Sequence, residues 1–154
     1  MIDSNDFGLK SWQLVASSEQ GMLAQVKRAT LAHKWVVFLA WAPHPMNMEF
    51  PLTYLADGDK YFGPNYGGAE VYTLARTGFS AKCPNLATLF HNLAFTVPME
   101  NQMMDKILNG HEKPEKAASD YLHANPGLLA AWLKGVTTAD GKPGLAAVKT
   151  SLGL

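Results

Sequence analysis

Apolar positions follow two different rhythms along the chain, and the change falls near Pro84. Before it, hydrophobic residues come in short runs or alternate with polar ones. The run Val36-Val37-Phe38-Leu39-Ala40-Trp41 predicts a strand buried on both faces, the pattern of a parallel sheet covered by helices. Pro43 and Pro45 follow; neither can donate to a ladder, so the chain leaves the sheet just beyond Trp41. Weak alternation over 9–16 and clearer alternation over 69–75 predict two further strands, with a short one at 53–56. Ser17 and Gln20 have the spacing of a capping box. The helix that follows is expected to run to about His33, with Met22, Leu23, Val26 and Ala29 or Thr30 inward. Strand, helix, strand in that order predicts a right-handed βαβ unit.

Beyond Pro84 the period becomes helical. Helices are expected over 84–93, over 98–108 with Met99, Met103, Met104, Ile107 and Leu108 at helical spacing, and over 114–124 with Ala117, Ala118, Tyr121 and Leu122 inward. Asn109-Gly110 and Pro126 stop the second and third. Two more follow, over 128–134 around Trp132 and over 143–152 with Pro143 at its first turn. Between the halves, Phe62-Gly63-Pro64-Asn65-Tyr66-Gly67-Gly68 is glycine-rich but does not match a phosphate loop. It reads as a bend. The expected class is α/β with few strands and several helices; sheets usually have about five strands, so the sheet looks incomplete.

Composition narrows the function. A chain of 154 residues, 47% hydrophobic, supports one core of ordinary size. Thirteen basic residues balance 13 acidic ones without a basic cluster, which argues against a nucleic-acid partner. The apolar runs are too short to span a bilayer, and no charged-then-apolar leader opens the chain. Cys83 is the one cysteine; it has no disulfide partner in the chain, and no neighbour in sequence that would activate its thiol.

Few residues carry candidate chemistry. The five histidines form no HExxH, so a zinc site is not expected. No GxSxG elbow accompanies His44, which reads more readily as ordering its loop than as a base. The methionine stripe reads as core filling. Trp41 stands at the carboxyl end of a buried strand, where open α/β sheets hold ligands. Its face suits a cation or a flat apolar group; the alternative is that it simply caps the core.

The segments SSEQGMLAQV from Ser17, VVFLAWAPHPMN from Val36 and FGPNYGGAEVYT from Phe62 closely resemble the choline and glycine-betaine substrate-binding proteins of ABC importers, above all the periplasmic choline-binding proteins. The resemblance runs from about Phe7 to the C-terminal Gly-Leu. It implies a type II periplasmic-binding-protein-like fold, present as its C-terminal half: 1–68 in lobe II, 69–83 crossing the hinge, 84–154 packing on lobe I. It implies periplasmic capture of choline or a related quaternary amine in an aromatic cage, without catalysis or a cofactor, for delivery to the importer's membrane subunit. Trp41 falls on one cage wall; His44 and Asn47 are secondary candidates. A cage could not close within these residues, so self-association or a domain-swapped oligomer is expected of them alone. The competing readings are a small α/β enzyme using His44 and a non-binding, self-associating remnant.

Overall fold

In the computed structural model, which describes residues 1–154, the chain divides into two compact units, Met1–Ala40 and Trp41–Leu154. The first unit opens with a 3-10 turn over Asp6–Ser11, kinked by left-handed backbone at Phe7 and Gly8. Its main element is helix α1 (Glu19–Leu31). Ser18, one residue later than expected, is the N-cap: its Oγ accepts the Gly21 amide at 3.2 Å. Such a cap is worth about 1 kcal/mol. Val26 and Ala29 are the buried face of α1, inside the stripe that the sequence outlines.

The expected strands do not pair. Residues 9–16 give the 3-10 turn and an exposed connection, and 35–41, 53–56 and 69–75 form no ladder. The one β-bridge in the chain joins Thr137 to Pro143. The βαβ unit is therefore absent, and the fold seen in these residues is helical, with strand-like segments left unpaired. The reason is physical: a helix closes its hydrogen bonds within its own segment, whereas a strand needs a neighbour. The strand signature itself survives. Trp35, Val37 and Leu39 are exposed while Val36, Phe38 and Ala40 are half-buried, the period-two alternation of a pleated segment.

The second unit holds nine short elements: α2 (Met46–Glu49), α3 (Asp59–Phe62), α4 (Pro64–Gly67), α5 (Phe79–Lys82), α6 (Pro84–Asn92), α7 (Val97–Leu108), α8 (Pro114–Ala124), α9 (Gly127–Trp132) and α10 (Gly144–Leu152). Of these, α4 is a glycine-bounded turn with Asn65 and Tyr66 left-handed. The buried apolar residues are Met46, Phe50, Met99, Ala117, Leu129, Trp132 and Val136. Helix α7 packs on both α8 and α2, and α6 packs on α9. Asparagines fasten the connections: Asn92 Nδ2 donates to the Trp132 and Lys134 carbonyls, and Asn85 pairs with both backbone groups of Thr137.

Candidate functional site

The loop from Trp41 to Asn47 joins an extended apolar segment to α2, and it gathers all three residues singled out in the sequence. Its middle is anchored to the core. His44 is 8% exposed, and its backbone N–H donates to Oδ1 of Asn101, a buried residue of α7, at 2.7 Å. The His44 ring accepts the Met46 amide at Nδ1, 3.1 Å away. That contact pins the imidazole and occupies the nitrogen at which a catalytic carboxylate usually acts.

Trp41 stands against this anchored histidine. The two rings meet edge-on, with centroids 5.1 Å apart and planes at 66°. The indole is 41% exposed, so it is not a core cap: one side packs and the remainder faces outward. The peptide Ala42-Pro43 that separates them is cis.

Asn47 ties the loop together. Its Nδ2 donates to the carbonyls of Trp41 and His44, each at 2.9 Å, while its Oδ1 accepts the Tyr54 hydroxyl at 2.9 Å. Tyr54 in turn meets Tyr66 edge to face, centroids 6.0 Å apart. Partial burial raises the Tyr54 hydroxyl above the ordinary tyrosine value, so it keeps its proton, and its donor role, at neutral pH. The result is a polar clamp linking Trp41 to two further aromatic rings.

Sequence reasoning placed Trp41, His44 and Asn47 in one loop, and the structure joins all three by direct contact. It did not find Tyr54, read there as part of a short strand, or Asn101, a polar residue inside the methionine helix. The signal available for Tyr54 was its aromatic ring seven residues after Asn47. No group of three or more His, Cys, Asp and Glu side chains is placed to hold a metal ion, and no helix is long and apolar enough to cross a membrane.

Residues 1–124 match the family model described as the substrate binding domain of ABC-type glycine betaine transport system. The chain is 30% identical over 132 residues to the glycine betaine/carnitine transport binding protein GbuC of Listeria monocytogenes, covering 85% of this chain and 42% of that one. Among solved structures it resembles an ABC-transporter choline binding protein in complex with choline, with a TM-score of 0.68 and 55% identity over 99% of this chain and 53% of that chain. It also resembles lactococcal OpuAC in its closed-liganded conformation complexed with glycine betaine, with a TM-score of 0.58 and 28% identity over 85% of this chain and 50% of that chain. These neighbours are type II periplasmic binding proteins. The chain spans about half the length of the proteins it matches. With the model matched across both the Trp41 loop and most of the helical half, this chain belongs to the substrate-binding domain family of ABC-type glycine betaine transport systems.

Proposed function

We propose that this chain carries one side of a quaternary-ammonium site in the solute-capture component of an ABC importer, with Trp41 as an aromatic wall of that site. The ligand is choline or glycine betaine. The role is binding followed by closure of two lobes and hand-over to the membrane subunit, without chemical change in the ligand. Working location is outside the cytoplasmic membrane, in the periplasm. Residues 1–68 belong to lobe II, 69–83 cross the hinge and 84–154 pack on lobe I; the remaining cage walls come from polypeptide outside these residues.

The observation that carries this reading is the exposed face of Trp41, its edge set by a histidine that is itself anchored to the core. A trimethylammonium group is weakly hydrated, and a desolvated aromatic face attracts it by up to about 2 kcal/mol. Further support comes from the 55% identity to a choline binding protein solved with choline. His44 and Asn47 act by holding the loop. The enzyme reading of His44 loses ground to the occupied Nδ1 and to the family membership.

The test is choline titration of the intact protein by calorimetry. Trp41→Ala is expected to weaken binding by roughly 30-fold, the equivalent of one lost cation–π face. Its melting temperature should stay within about 2 °C of wild type, because the ring is half outside the packing. A variant that binds choline as tightly as wild type would remove the assignment. Competition between choline and glycine betaine then decides the preferred ligand, since only the betaine carries a carboxylate that needs its own partner.

A further inference from the structure

Of the three rings around Asn47, Tyr54 is the one whose role the receptor reading leaves open. An asparagine side chain has one acceptor oxygen and one NH2 donor group. Asn47 commits its donors to two backbone carbonyls, those of Trp41 and His44. A half-turn of the amide would set its oxygen against those carbonyls, acceptor facing acceptor. The hydroxyl that Tyr54 donates to Oδ1 selects the productive orientation.

We infer that Tyr54 is a positioning residue for the ligand-facing indole, acting through the Asn47 amide; this rests on the reading of Trp41 as a wall of the site. The chain of cause is short. The Tyr54 hydroxyl fixes the Asn47 amide, and the amide fixes the Trp41 carbonyl. That carbonyl, with the His44 ring at the indole edge, sets the direction in which the indole leaves the backbone. The same amide also bonds the His44 carbonyl, but His44 has further anchors at Asn101 and the Met46 amide, so the Trp41 end of the loop is the part that depends most on Tyr54. Tyr54 is 39% exposed. A hydrogen bond at such a position contributes little to folding, and its loss is felt where geometry matters most, at the ligand.

Choline is titrated by calorimetry into the intact wild-type protein and into Tyr54→Phe, Trp41→Phe and the double variant. Tyr54→Phe keeps the ring and its contact with Tyr66 and removes only the hydroxyl. It is expected to weaken choline binding about fivefold, the range of one ordinary hydrogen bond, with an unchanged melting temperature. In the Trp41→Phe background the same substitution should cost less than about twofold, because the two residues act as a unit. In protein carrying 5-fluorotryptophan, the fluorine resonance of Trp41 should shift or broaden in Tyr54→Phe while those of Trp12, Trp35 and Trp132 stay put.

Wild-type affinity in Tyr54→Phe, or equal losses in both backgrounds with an unmoved Trp41 resonance, overturns the inference. If wild type binds neither choline nor glycine betaine, or Trp41→Ala binds the ligand normally, the receptor reading falls and takes this inference with it. Loss at Trp41 combined with silence at Tyr54 overturns the positioning role alone.

Discussion

Asn101 shows how a single polar atom can decide where a loop sits. Its side chain is buried in α7, and it receives the His44 amide from a residue 57 positions earlier. Replacing it with leucine would keep the bulk and orphan that N–H. The expected cost of Asn101→Leu is about 1–3 kcal/mol, read as a lower urea midpoint with an unchanged slope. The contrast with Tyr54 is a prediction: the bond inside the core is expected to be felt in stability, the one at the surface in ligand geometry. Trp41, His44 and Asn47 were legible in sequence because proline, histidine and asparagine crowd the end of an apolar run. Asn101 and Tyr54 were not, since both act across distances that no local pattern encodes.

At the level of elements, the helical half follows its punctuation closely. Expected helices at 84–93, 98–108 and 114–124 appear as Pro84–Asn92, Val97–Leu108 and Pro114–Ala124. Proline at the first turn opens each of them, and Thr96 adds a side-chain cap to α7. Helix ends are written locally, so they can be read locally. Helix α8 has one position where small volume matters: Ala117 is completely enclosed. Ala117→Leu should therefore destabilise by about 1–3 kcal/mol through overpacking, whereas Ala118→Leu, on the exposed side of the same helix, should stay within about 0.5 kcal/mol. Chemical denaturation of the two variants checks the pair; equal losses would contradict the assigned face.

Over the whole chain, the unpaired segments dominate the outlook. Trp35, Val71 and Leu74 are 102%, 97% and 91% exposed, and the segments bearing them have no ladder partners. Exposed apolar side chains on unpaired backbone favour association through added strands. A protein consisting of these 154 residues alone is thus expected to sediment at micromolar concentration as dimers or larger species. Val71→Lys with Leu74→Lys should shift it toward monomer. A compact monomer at every concentration would count against this expectation.

The amino-acid sequence by itself determined the helices from Pro84 onward, the loop that carries Trp41 and, through its family motif, the class of ligand to consider. These depend on capping, proline placement and residue type, all of which act within a few positions. Tertiary structure alone decided that the strand-like segments remain unpaired, that the indole faces outward, and that Tyr54 and Asn101 hold its loop. A ladder, an exposed face and a long-range hydrogen bond each need a second piece of chain at the right place, and local sequence cannot specify that meeting.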